Sequence, residues 1–267
     1  MDSRSLAKNI KINIVKMVNR AKASHIGGAL SIADILAVLY SEIMNYNIKN
    51  AKDPSRDKLI LSKGHNGVAL YATLAEIGFI DKKTIEAYYS DGSVLSGHIS
   101  HKDVNGVEFS TGSLGHGACV AAGMAKAAKL DNKKNKFYTI VGDGECNEGS
   151  IWEMAAFVYH HKIDNLTVII DHNKLQSITF CKDTIDPINL KAKWDVFGWH
   201  TLEIDGHNHN ELKEALSVTY DNVPKCIIAH TIKGKGVSFM ENNNLWHYRD
   251  PQGELFEKAV AELENAQ

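Results

Sequence analysis

The sequence predicts an α/β fold: a doubly wound, mostly parallel sheet with helices on both faces. Three observations predict it. Short β-branched runs alternate with amphipathic segments along the chain. A strand, helix, strand unit can be read near the middle, over residues 136–141 (KFYTIV), 151–161 and 166–170 (LTVII). Polar, glycine-containing motifs follow the predicted strands. A right-handed crossover would make the two central strands parallel, so the motifs after them would open on one edge of the sheet, where such sheets bind ligands.

Taken in order, Leu6, Ile10, Ile14 and Val18 mark an N-terminal amphipathic helix. After the loop His25-Ile26-Gly27-Gly28, Ser31 with Asp34 reads as a capping box opening a helix that runs to about Ile43. Residues 58–61 (KLIL) form a strand, followed by Ser62-Lys63-Gly64-His65 and a helix that Gly78 closes after Ile77. Thr111-Gly112-Ser113-Leu114-Gly115-His116-Gly117 leads into a helix of small residues. In the central helix, Ile151, Met154, Ala155 and Val158 share one face. Beyond the central unit come a helix near 190–197, a strand at 201–204, a helix near 211–219, a strand at 226–229 and a last helix near 254–264. No repeat or linker divides the chain, so residues 1–267 are expected to form one domain.

Composition is that of an ordinary globular protein, with 44% apolar and 23% charged residues. A net charge of −2 gives no reason to expect nucleic acid, and the lysines near 133–136 suit a solvated loop. No apolar run reaches the length of a membrane span, and the N-terminus lacks a signal-peptide core. Cys119, Cys146, Cys181 and Cys226 have neither metal nor disulfide-framework spacing, which fits a reducing cytoplasm.

Chemistry concentrates at Gly142-Asp143-Gly144-Glu145, answered by Asp171-His172-Asn173 after the next strand. A carboxylate and an amide oxygen, completed by a carbonyl, water and phosphate oxygens, suit the octahedral shell of Mg²⁺. The glycines admit a diphosphate to the backbone, and the following helix offers its positive end. His65 and Lys233-Gly234-Lys235-Gly236 follow other predicted strands and would join the same edge. Most of the 13 histidines need only a bland reading: His160 and His161 as surface, His207 and His209 in a turn before a helix, His200 and His230 at strand ends. A metal reading of His98 with His101, or of His207 with His209, lacks a third ligand at a sensible spacing.

The pair Gly142-Asp143-Gly144 and Asn173 resembles the cofactor motif of thiamine diphosphate enzymes. Within that superfamily the chain resembles transketolase. The match rests on His25 in Ala-Ser-His-Ile-Gly-Gly, His65 in Ser-Lys-Gly-His, His98 in Ser-Gly-His and His247 in Leu-Trp-His, together and in order. The resemblance implies that Asp143, Asn173 and the backbone carbonyl of Leu175 hold Mg²⁺, with Ca²⁺ or Mn²⁺ able to substitute. It implies that His65, Gly112, Ser113, Leu114, Gly142, Asp143, Gly144, Glu145, Asn173 and Lys233 face the cofactor. His98 would bind donor hydroxyls, while His25 and His247 would handle protons. Two departures stand out: His116 replaces the family's usual Gln, and Ser24-His25-Ile26 replaces Gly-His-Pro. The implied activity is transfer of a two-carbon ketol unit from a ketose or its phosphate to an aldose.

The resemblance covers only the diphosphate-binding part of a full transketolase. The implied partner is a C-terminal-type chain supplying the pyrimidine-binding half, in a two-plus-two heterotetramer, with Glu148 near the contacts between chains. The alternatives are the alpha subunit of a 2-oxo acid dehydrogenase, which carries the same metal motif, and a non-catalytic paralogue that only binds a partner.

Overall fold

The computed structural model describes residues 1–266. Among the described residues there are five strands: β1 (Lys58–Leu61), β2 (Phe137–Gly142), β3 (Leu166–His172), β4 (His200–Asp205) and β5 (Lys225–His230). They form one all-parallel sheet in the order β1-β2-β3-β5-β4. Side chains alternate across each strand, so the sheet feeds two cores. On β3, Ile169 joins one cluster, while Leu166, Val168 and Ile170 join the other. Helices cover both faces, as the alternation of elements predicts.

The first face carries α1 (Ser3–Ala21), α2 (Ile26–Ser31), α3 (Ala33–Val38), α4 (Gly67–Ile77), α8 (His209–Ser217) and α9 (Glu254–Asn265). The second carries α5 (His116–Leu130), α6 (Gly149–His160) and α7 (Leu190–Val196). The predicted stripe of α1 is fully inside, with Leu6, Ile10, Ile14 and Val18 all buried. The same holds for Ile151, Met154, Ala155 and Val158 of α6. The last helix packs on α1 through Ala259 and Leu263.

The capping box at Ser31 and Asp34 does not form. Ser31 ends α2, and Ile32, at φ −98° and ψ 0°, separates it from α3 without any side-chain cap. Both polar side chains are buried and spent on distant partners. Ser31 Oγ donates to Gly28 O and to Asp171, and Asp34 meets Lys11, His207 and His209. Helical structure continues through a π-turn to Ile43.

Candidate functional site

Because the strands are parallel, all their carboxyl ends lie on one edge, and four of them deliver polar groups to one cavity of about 280 Å³. The end of β1 supplies Lys63, His65 and Asn66; β2 supplies Gly142, Asp143, Gly144 and Glu145. The end of β3 supplies Asn173, Leu175 and Gln176, and that of β5 supplies Lys233. Loops add Gly112 and Leu114, and His25, His98 and His247 complete the wall. Ser113 is exposed beside this wall rather than in it, and His116 starts α5 with an exposed side chain.

Behind the wall, bonded to its Lys63 and Asn173, sits Asp171, fully buried. It accepts from Lys63 Nζ and Thr231 Oγ1, from Ser31 Oγ at 2.7 Å and from Asn173 Nδ2 at 2.9 Å. Burial alone would raise the Asp171 carboxyl, but the Lys63 ammonium together with the hydrogen bonds from Lys63, Thr231 and Ser31 outweighs that and holds it below the usual range. Glu145 plays a similar part for the loops. It accepts from Ser62 Oγ, from Gly115 N at 2.8 Å and from Gly142 N at 3.0 Å, tying the Gly112–Gly115 loop to the end of β2. Gly115 is left-handed at φ 80°, which a side chain would strain.

Asp143 accepts from Gly144 N at 2.7 Å and Lys174 N at 2.6 Å. Burial, and then the charge of Asp171, push its carboxyl up to about 6. The Asn173 amide is oriented by its bond to Asp171, which fixes Nδ2 inward, while Oδ1 accepts from Leu175 N at 3.1 Å. Lys233 Nζ lies 3.3 Å from Leu175 O, 2.9 Å from Gln176 O, 3.1 Å from Asn244 Oδ1 and 3.0 Å from His247 Nδ1. Burial, then the Lys63 charge, hold Lys233 down to about 8. Two buried ammonium groups thus face one cavity, and an anionic ligand would relieve their repulsion. Among the described residues no group of three or more His, Cys, Asp or Glu side chains could hold a metal. The set at Asp143, Asn173 and Leu175 is of another kind, one carboxylate with amide and carbonyl oxygens, the donors that Mg²⁺ takes.

The histidines converge. The His25 ring centroid lies 5.1 Å from that of His65, 5.8 Å from His98 and 4.8 Å from His247. His25 adopts a left-handed φ of 73°, held by its N–H to His247 O at 2.6 Å and by Asn66 Nδ2 to its carbonyl at 3.0 Å. His25 Nδ1 is 3.2 Å from His247 Nε2. The network assigns the tautomers. An ammonium can only donate, so His247 Nδ1 accepts from Lys233, its Nε2–H donates to His25 Nδ1, and the remaining proton of His25 is on Nε2. Burial, with nearby positive charge, lowers His25 to about 4 and His247 to about 3, and puts His65 well below its usual value.

These shifts carry a stability prediction. Unfolded histidine titrates near 6.5, so between that pH and the lowered folded values the unfolded chain binds more protons. Stability is then full above about pH 6.5 and is lost as pH falls toward 4 and 3. Asp143 acts in the opposite sense, so the comparison must be differential. Wild type is expected to lose more melting temperature than His247→Phe between pH 7.5 and 4.5. Equal losses would contradict the assignment.

A parallel sheet whose strand ends gather a buried carboxylate, a buried amide, two buried lysines and a histidine cluster around one cavity defines an α/β protein with a site suited to an anionic ligand. Comparison with known proteins gives the family. Residues 2–257 match the family described as Transketolase, thiamine diphosphate binding domain, and the chain belongs to it. It is 42% identical over 258 residues to one of the subunits of an apulose-4-phosphate transketolase from Phocaeicola vulgatus, covering 96% of this chain and 91% of that one. It is 39% identical over 267 residues to the 6-deoxy-6-sulfo-D-fructose transketolase subunit SqwG of a Clostridium species, covering 99% and 97%. The Campylobacter jejuni transketolase structure superposes with a TM-score of 0.92 at 30% identity, over 98% of this chain and 42% of that one. Human transketolase is 34% identical over 97% of this chain and is likewise spanned to only 42%. By sequence the chain is thus an N-terminal, transketolase-type thiamine diphosphate-binding domain, a component of a transferase. It matches subunits of two-chain transketolases over nearly their whole length and the full-length enzymes over 42% of theirs.

Sequence reasoning missed Lys63, Asn66, Gln176 and the hub at Asp171. Lys63 and Asp171 stand in plain view as charged residues at the ends of apolar strands, where burial forces them to pair. Nothing local marks Asn66 or Gln176.

Proposed function

We propose that this chain holds thiamine diphosphate with one divalent metal ion, normally Mg²⁺, as a single diphosphate-binding domain. Joined to a second chain carrying the pyrimidine-binding half, it transfers a two-carbon ketol unit from a ketose or its phosphate to an aldose. The observation that carries this reading is the convergence of Asp143, Asn173, Lys63, Lys233 and four histidines on one cavity. Two buried polar atoms there, Asn66 Oδ1 and Gln176 Nε2, have no hydrogen-bond partner among the described residues, which supports a polar ligand.

Asp143, Asn173 and the Leu175 carbonyl would hold the metal, and Lys63 and Lys233 would meet the diphosphate charge. The Gly112 to Leu114 backbone, Gly142, Gly144 and His65 line the cofactor side. When bound, thiamine diphosphate supplies a carbon nucleophile and an electron sink for cleaving the bond beside a ketose carbonyl. The protein's own part is orientation and proton transfer. His25 presents Nε2–H to a substrate oxygen, and the hydrogen-bonded line from Lys233 through His247 keeps that proton there. His98, exposed with its ring 5.8 Å from that of His25, suits the donor hydroxyls.

The surface around the cavity favours a partner at this edge. Segments bounding it carry exposed apolar side chains at Ile178, Phe180, Leu245 and Tyr248. A two-plus-two assembly with cofactor sites at the interfaces fits this arrangement. Four free cysteines, and no helix among the described residues long and apolar enough to cross a membrane, accord with a cytoplasmic setting.

The test is an assay of the chain alone and mixed with its partner. Donors to offer are xylulose 5-phosphate and the sugars for which the relatives are named, apulose 4-phosphate and 6-deoxy-6-sulfo-D-fructose. The mixture is expected to transfer a ketol unit, the chain alone little or none, and neither to decarboxylate pyruvate. In the mixture, His98→Ala and His247→Ala should impair turnover while leaving cofactor affinity unchanged. Robust transfer by the chain alone would overturn the split-enzyme reading, and 2-oxo acid decarboxylation would favour the dehydrogenase alternative.

A further inference from the structure

The loop that brings Lys233 into the cavity is held from behind by a residue with no place in the chemistry above. His207, in the turn after β4, stands between two groups. Its Nδ1 is 2.7 Å from Asp34 Oδ2, and its Nε2 is 2.8 Å from the backbone N of Ile232. A backbone N–H only donates, so Nε2 must be the bare nitrogen and Nδ1 must carry the proton. Asp34 is itself fixed: both its oxygens lie 2.9 Å from Lys11 Nζ, and His209 Nε2 is 3.3 Å from Oδ1. The turn and the loop are tightly matched, since Gly206 N donates to His230 O at 2.8 Å and a Cβ on Gly206 would strike Thr231. The anchored N–H immediately precedes Lys233, whose ammonium must reach a cluster of acceptors on two other segments.

We propose that Asp34 and His207 form a strut that selects one imidazole tautomer and through it positions Lys233 for the diphosphate. His207 is thus a positioning residue. The proposal rests on the cofactor reading above. Asp34 keeps the proton on Nδ1; the bare Nε2 then accepts from Ile232, and the loop cannot draw back without leaving that N–H unpaired. The Asp34 side chain is 173 residues away from His207 in sequence, so no local pattern exposes the link.

The experiment uses two substitutions that divide the ring's functions. His207→Asn keeps a donor where Nδ1 lies but loses the acceptor for Ile232. His207→Gln places an acceptor near Nε2. Thiamine diphosphate affinity, measured by calorimetry with Mg²⁺ on the chain assembled with its partner, should fall roughly 5- to 30-fold in His207→Asn. It should recover in His207→Gln. In a Lys233→Met background the His207→Asn change should have no further effect on affinity, because its action runs through Lys233. Independently, ¹⁵N spectra of the wild-type imidazole at pH 7.5 should show Nδ1 protonated and Nε2 bare, a readout that stands even if a variant fails to fold. Undiminished affinity in His207→Asn, the same fractional loss without Lys233, or an Nε2-protonated ring would overturn the proposal. A wild-type assembly that binds no thiamine diphosphate would instead sink the cofactor reading, leaving the strut to be judged by the tautomer alone.

Discussion

Asp171→Ala is expected to destabilise the fold by about 3–5 kcal/mol, the cost of breaking a buried ion pair by removing one partner. The carboxylate is fully buried, and four donors from four segments end on it: Ser31, Lys63, Asn173 and Thr231. The Lys63 side chain is only 3% exposed, so its ammonium would be stranded. The Asp143 charge, which also faces Lys63, offers partial compensation and argues for the lower half of the range. For a chain of this size the loss corresponds to a fall in melting temperature of about 10 °C. Asp171→Leu combined with Lys63→Met should recover most of the stability, because it removes both charges. That double variant should still fail to bind a diphosphate, having lost one of two cations. A melting temperature in Asp171→Ala within about 2 °C of wild type would contradict the hub's structural role.

Asp143→Ala is expected to have the opposite profile, a large functional loss at little or no cost in stability. In the ligand-free fold Asp143 is a buried carboxylate whose ionised form is disfavoured by burial and by Asp171, with its pKa pushed up to about 6. Its two backbone partners, Gly144 N and Lys174 N, are the compensation it gives the fold. Removing it relieves the repulsion with Asp171 while freeing two N–H groups, so the net effect on stability is small. A metal ion, by contrast, would lose the only carboxylate in its protein shell. Loss of metal-supported affinity by at least 100-fold is the expected result, larger than the 10- to 100-fold typical of residues that merely support a ligand.

Much of this site was legible because its parts are short motifs tied to strand ends. Periodicity located β2, α6 and β3 to within two residues, and parallel crossover geometry then required Asp143 and Asn173 to share an edge. The histidines could be sorted only as an ordered set, since His25, His65, His98 and His247 are spread over more than 200 residues and none carries a local signal. What was illegible depends on partners distant in sequence. Ser31 and Asp34 have the spacing of a helix cap, yet both are buried, and burial sent one to β3 and the other to the turn after β4. His207 looked like an ordinary turn histidine for the same reason. Glu145 is a related case: it lines the cavity as its place in the motif suggests, and only its hydrogen bonds reveal that it also braces the Gly115 loop.

The most direct test of the account is a calorimetric titration of thiamine diphosphate into the assembled protein, with Mg²⁺ and with the metal chelated, for wild type and Asp143→Ala. The account predicts binding by wild type that depends on the metal and is lost in Asp143→Ala. Binding of equal strength with the metal removed, or unchanged by Asp143→Ala, would contradict it.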